Sequence, residues 1–157
     1  MDYSLDATDL RLIAVLQEDG RITNQDLARS CAISPAACHE RVRRLRERGV
    51  ILATVALIEP AALDCGLLIF VEVQLDRTSD DQFRAFADHV RSIPQILECH
   101  MVAGGFDYLL KARVSDMAAY RGFLGGILAE IPGIRETRTY AVLEEVKQTT
   151  RLPVPSD

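Results

Sequence analysis

Between Pro35 and Arg48 the chain sets five arginines (41, 43, 44, 46 and 48) against two acids, Glu40 and Glu47, for a local charge of +3. A guanidinium is a permanent cation with a planar fork of N–H donors, suited to phosphate oxygens and to the edge of guanine. At 100° per residue on a helix, Cys38, Val42 and Leu45 share one face. Ala36, His39, Glu40 and Arg43 lie opposite, toward the helix start. Arg41, Arg44 and Arg48 flank that face on one side and Arg46 on the other. Apolar packing behind, small and hydrogen-bonding residues in front and cations at the rails form the layout of a helix that reads a DNA major groove. A solvated surface helix is the plain alternative, but it has no use for the paired Ala36 and Ala37 at its tip.

A second group with chemical potential is Gly104-Gly105-Phe106-Asp107. Two readings stand here. In one, the glycines let a hairpin adopt positive φ and Asp107 caps the turn. In the other, bare glycine backbone lets a small ligand approach and Asp107 accepts from an α-ammonium group. The pairs Cys38-His39 and Cys99-His100 raise metal binding, but no further spaced ligands complete a set of four. Packing cysteines and ordinary histidines are the expectation, with no metal. No nucleophile elbow, phosphate-binding glycine loop or zinc-protease motif occurs.

The elements that must carry these groups are legible. Asp6, Thr23 and Ser34 each stand where a side-chain oxygen can cap a helix, with Asp9, Asp26 and Ala37 at the third helical position. Pro35 falls at the favoured first position. The first helix runs to about Asp19 and is stopped by Gly20; the second covers about 24–31; the third ends at Gly49. Ala32, Ile33 and Ser34 alone join the second to the third, the short link of a helix-turn-helix over about 24–43. Val50 to Ile58 reads as a strand leading out of this head, and Glu59-Pro60 as the boundary beyond it.

Further on, Leu67–Leu75 reads as a strand and Phe83, Phe86, Ala87 and Val90 as one face of a helix ended by Ile93-Pro94. Strands are expected over Ile96–Ala103 and Tyr108–Val114. A helix through Met117, Tyr120, Phe123, Leu124, Ile127, Leu128 and Ile131 is closed by Pro132-Gly133, and a last strand spans Arg138–Val146. The order β-α-β-β-α-β is ferredoxin-like, with both helices on one face of an antiparallel sheet. The other face is expected to carry apolar side chains and to pack on a second copy. The fold class is therefore α+β. Residues 5–66 form a helix-turn-helix domain with its linking strand, 67–147 a ferredoxin-like domain and 148–157 a tail.

Charge follows this division. Of the 157 residues, the first fifty carry eight acids and eight arginines, so the whole net charge of −5 lies beyond them. A neutral head with one basic helix, joined to an acidic body, fits DNA binding better than the overall charge implies. No apolar run approaches the ~20 residues of a membrane helix, and MDYSLDATDL lacks the features of a signal peptide. A cytoplasmic protein with reduced thiols and no membrane contact is expected.

GRITNQDLA and ISPAACHERVRRLRERGVI resemble the N-terminal winged helix-turn-helix of the Lrp/AsnC, or feast/famine, transcriptional regulators. ECHMVAGGFDYLLKARVSD and RTYAVLEEVKQTTRL resemble the same family's effector and oligomerisation domain, closest to its leucine-responsive branch. The resemblance implies binding to double-stranded DNA through Ser34, Pro35, Ala36, Ala37, His39, Glu40, Arg43, Arg44 and Arg46. It implies an amino-acid effector, leucine or another apolar one, at Gly104, Gly105, Phe106 and Asp107, with Met101, Thr139, Tyr140 and Ala141 as weaker candidates. Gly105 stands where the family often has an acidic or polar residue. The resemblance also implies homodimers assembling into tetramers of dimers, no cofactor and no catalysis. The rival class is a small enzyme or ligand-binding protein on a ferredoxin-like dimer; the basic helix is the feature it leaves without a use.

Overall fold

The computed structural model describes residues 3–77, 79–128, 131 and 133–155, and of Ile127 and Leu128 only the backbone. The chain divides into two compact units. One contains the chain up to Leu57 together with the stretch from Lys147 onward; the other is Ile58–Val146.

The first unit is built on α1 (Ala7–Glu18), α2 (Asn24–Ser30) and α3 (Pro35–Glu47). Each opens on its expected cap. Asp6 Oδ1 accepts from the Asp9 N–H at 2.8 Å while the Asp9 carboxylate accepts in return from the Asp6 N–H. Thr23 Oγ1 accepts from the Asp26 N–H and Ser34 Oγ from the Ala37 N–H, both at 3.2 Å. These bonds satisfy N–H groups that no preceding turn can reach. Leu12, Leu27, Ala28, Cys31 and Cys38 form the core between the helices. Burial pushes the Cys31 and Cys38 thiols up from their ordinary value. The link from α2 to α3 turns on Ala32, whose φ of +54° lies in the left-handed region, and the Ile33 N–H donates back to the Ala28 carbonyl at 3.0 Å. Asn24 Nδ2 donates to the Pro35 carbonyl at 2.9 Å, tying the start of α2 to the first turn of α3. Gly49, with φ +69°, ends α3.

The strand expected over Val50–Ile58 does not form. Leu52–Glu59 has no regular secondary structure and no ladder partner among the described residues, and Leu52, Val55, Leu57 and Ile58 stay largely exposed. A segment becomes a strand only when another backbone offers paired N–H and C=O groups, and the described residues supply none here. The tail from residue 147 returns to the first unit. Gln17 and Leu152 exchange two hydrogen bonds, at 3.1 and 2.7 Å, and Arg151 reaches Glu18 at 3.3 Å. Beside them, Leu5, Leu10, Ile13 and Leu16 line a cleft with Leu152, Pro153 and Val154.

The second unit contains β1 (Leu67–Leu75), α4 (Asp80–Arg91), β2 (Ile96–Met101), β3 (Tyr108–Val114), α5 (Met117–Gly122) and β4 (Ile134–Ala141). The strands lie antiparallel in the order β2-β3-β1-β4, the ferredoxin-like arrangement. Ile69, Val71, Val73 and Leu75 of β1 and Tyr108, Leu110 and Ala112 of β3 pack under Phe86, Val90, Tyr120 and Phe123. The Phe86 and Tyr108 rings stack with centroids 4.4 Å apart.

Four expectations are corrected in this unit. β2 stops at Met101 rather than Ala103. β4 begins at Ile134 and ends at Ala141 rather than spanning 138–146, because it pairs only with β1, whose register runs out at Ile69↔Ala141. The second helix changes after Gly122 into a wider π turn over Phe123–Leu128. Its expected closure at Pro132 lies outside the described residues. Finally, the helix-free sheet face is not chiefly apolar. Leu68, Phe70 and Leu109 share it with Glu72, Gln74, Glu98, His100, Lys111, Glu136, Arg138 and Tyr140, as the register requires. Two edge strands of alternating polar residues make that face a lattice of ion pairs, including Lys111–Glu98 at 2.7 Å and Arg138–Glu136 at 3.0 Å.

Candidate functional site

In the first unit, α3 presents Ala36, Ala37, His39, Glu40, Arg43, Arg44 and Arg46 to solvent, with Ser34 and Pro35 exposed at its start, while Cys38 and Leu45 anchor it from behind. The arginines divide into three kinds. Arg41 is spent inside the unit: its Nη1 donates to Asp6 at 2.6 Å and to the buried Asp9 at 2.7 Å. Arg48 Nη2 donates to the Ser4 carbonyl at 2.9 Å. Neither sits free at a phosphate rail as the helical wheel placed it, because a wheel shows angle and not neighbours. Arg44 and Arg46 make no ion pair among the described residues and remain exposed cations. Arg43 is held on its own helix by two acids. Its Nε and Nη2 donate to the Glu40 carboxylate at 3.0 and 2.6 Å, and its Nη1 donates to Glu47 at 2.5 Å. The Arg43 fork beside it holds the Glu40 carboxyl below its ordinary range.

The second unit brings together part of the expected effector set. Gly105, Phe106 and Tyr140 line one cavity of about 260 Å³ on the helix-free face, with Glu72, Gln74, Glu136 and Arg138. Tyr140 donates to Glu72 at 3.1 Å, and that carboxylate holds the Tyr140 phenol above its ordinary value. Met101 lies elsewhere, in a cleft between α4 and β2 with Phe83 and Leu97. Thr139 and Ala141 point to the opposite sheet face, where the Thr139 hydroxyl meets that of Tyr120. Strand alternation alone separates them from Tyr140. The same alternation could have found the missed residues: Glu72 and Gln74 recur at period two inside an otherwise apolar strand, as do Glu136 and Arg138 on β4.

Asp107 is occupied by the turn. Its Oδ2 accepts from the Leu75 N–H at 2.7 Å, its N–H donates to Val73 and its carbonyl accepts from Val102, both at 3.0 Å. Gly104 and Gly105 are not in the positive-φ region, contrary to the hairpin expectation. A Cβ added at either would meet nothing within 4 Å, so their backbone is open to an approaching group. Among the described residues no cluster of three metal-ligating side chains occurs.

A reading helix with exposed cations on one unit and an open polar cavity on a ferredoxin-like sheet define a class: DNA-binding regulators that carry a separate ligand-binding domain. Residues 5–51 match the model of a winged helix-turn-helix DNA-binding domain, and residues 68–152 that of the Lrp/AsnC ligand binding domain. The chain belongs to the Lrp/AsnC family of transcriptional regulators and is a DNA-binding member of it. It is 49% identical over 150 residues to the leucine-responsive regulatory proteins of Klebsiella pneumoniae and Escherichia coli K12, covering 96% of this chain and 92% of theirs. Among solved structures, a transcriptional regulator of Neisseria meningitidis in complex with L-Met superposes with TM-score 0.90 at 37% identity, over 96% of this chain and 97% of that one. An AsnC family regulator of Agrobacterium tumefaciens also gives 0.90, at 32% identity, over 95% and 97%.

Proposed function

We propose that this regulator changes its assembly and its DNA binding when it takes up a small apolar amino acid, leucine or methionine by likeness to its relatives. The observation that carries the reading is the cavity at Gly105, Phe106, Glu72, Gln74, Glu136, Arg138 and Tyr140. A zwitterion needs an acceptor for its ammonium group and donors for its carboxylate. Glu72 and Glu136 offer the first; Arg138 and the open backbone at Gly105 offer the second, and Phe106 offers apolar contact to a side chain. Residues 5–66 are the DNA-reading part, with Ala36, Ala37, His39 and Arg43 toward base edges and Arg44 and Arg46 at phosphates. Residues 67–147 bind the effector and mediate assembly, and 148–157 are the tail.

The exposed Leu52, Val55, Leu57 and Ile58, on a segment with unpaired backbone, support a homodimer in which a second copy covers them. Tetramers of dimers follow by family likeness, as does work in the cytoplasm without catalysis. Calorimetric titration of the whole chain with each of the twenty amino acids tests the sensor reading, with light scattering in parallel. Heat and a shift in assembly with leucine or methionine, both lost in Arg138→Ala, are the expected result. Indifference to all twenty overturns it.

A further inference from the structure

The acids beside Arg43 are unexpected on a helix that must approach a polyanion. Glu40 and Glu47 stand one turn before and one turn after it and together make three hydrogen bonds to its guanidinium. Glu40, Arg43 and Glu47 thus form a group of net charge −1 in the middle of the reading face, while Arg44 and Arg46 are left as exposed cations. A guanidinium has five N–H donors, one on Nε and two on each terminal nitrogen. Three are taken. The two that remain are one on Nη1 and one on Nη2, and two guanidinium N–H groups are the number that a bidentate contact to guanine O6 and N7 uses.

We infer that Glu40 and Glu47 are specificity-determining positioning residues, which clamp Arg43 as a reader of guanine and bar it from serving as a phosphate contact. The inference rests on α3 being the DNA-reading helix. Phosphate rewards any cation of suitable reach, whatever the sequence. A guanidinium already neutralised by two carboxylates gains little there, and the surplus negative charge is repelled by the backbone. A guanine edge is neutral and asks only for two aligned donors. The clamp leaves Arg43 two donors for the correct base and removes its generic attraction elsewhere, so discrimination comes from weakened non-specific binding.

The test uses the full chain. Duplexes selected from a random pool by the wild type supply its preferred site, and affinities for that site and for mixed-sequence DNA are measured across a salt series. Glu47→Gln is expected to tighten mixed-sequence binding roughly three- to tenfold and to steepen its salt dependence by about 0.9, the increment of one added phosphate contact. Binding to the preferred site is expected to change less than twofold, so the specificity ratio falls. Glu40→Gln, which loosens the fork itself, is expected to relax the guanine preference at one position when selection is repeated. Asp88→Asn, an equal charge change on α4, is expected to leave the ratio unchanged. If the acids merely staple the helix, both affinities fall together and the ratio holds, which overturns the clamp. A wild type that selects no sequence overturns the DNA-reading helix and the clamp with it; a selective wild type with an unchanged ratio in Glu47→Gln overturns the clamp alone.

Discussion

At the scale of single residues, two positions carry the sharpest expectations. Ala32 holds a left-handed φ of +54° at the link between α2 and α3, a conformation that crowds its Cβ and that glycine adopts freely. Ala32→Gly is expected to stabilise the head by about 0.5–1 kcal/mol, the local strain relieved less the added freedom of the unfolded chain. Thermal melts check it, and a fall in melting temperature contradicts it. Asp107 is the second. Its carboxylate receives the Leu75 N–H where β1 ends at a register shift, so Asp107→Ala is expected to cost about 1–3 kcal/mol in denaturant titrations. Asp107→Asn, which keeps an acceptor oxygen, recovers part of that loss. An effector response that survives in the folded fraction of Asp107→Ala assigns this residue to the turn and leaves Arg138 as the effector contact.

The elements explain why neighbouring arginines differ. α3 crosses the start of α1, so Arg41 meets Asp6 and Asp9 while Arg44 and Arg46 point away. Arg41→Ala is expected to destabilise the head by about 1.5–3 kcal/mol through the buried Asp9 left without its cation, and to weaken DNA binding only through lost fold. Arg44→Ala and Arg46→Ala are expected to leave the melting temperature in place and to flatten the salt dependence of DNA binding by about 0.9 each. Acid reverses the first effect. The Asp9 N–H, and then Arg41, hold the Asp6 carboxyl below its ordinary 3.8. A depressed carboxyl stabilises the fold above that value and ceases to as the pH falls through the folded-state value. The gap in stability between wild type and Arg41→Ala is therefore expected to narrow as the pH is lowered below about 4, and a gap independent of pH refutes the role of the pair. The caps and the strands β1 and β3 were readable because they rest on local chemistry and on period two. β4 was displaced because its register belongs to its pairing with β1, and its own polar alternation resembles a loop.

At the scale of the molecule, the tail is part of the head. Leu152 and Gln17 hold each other by two bonds, Arg151 meets Glu18, and Leu152, Pro153 and Val154 line the cleft against α1. A chain ended after Gln148 is expected to melt earlier in the head and to bind more of a hydrophobic dye as Leu5, Leu10 and Ile13 lose that cover. Unchanged melting and dye binding contradict the docking.

The sequence by itself determined the α+β order of elements, the three capped helices, the buried face of α3 and the membership that the resemblance implied, since each rests on neighbours within a few residues. Strand alternation sends Thr139 and Ala141 away from Tyr140's cavity, whereas tertiary structure alone decided which arginines are free, that β4 pairs with β1 so that Glu72, Gln74, Glu136 and Arg138 share that cavity, and that Asp107 is engaged with β1. The physical reason is the same in each case. A hydrogen bond or ion pair between residues thirty or more apart depends on where two elements cross, and no local pattern of residue types records that crossing.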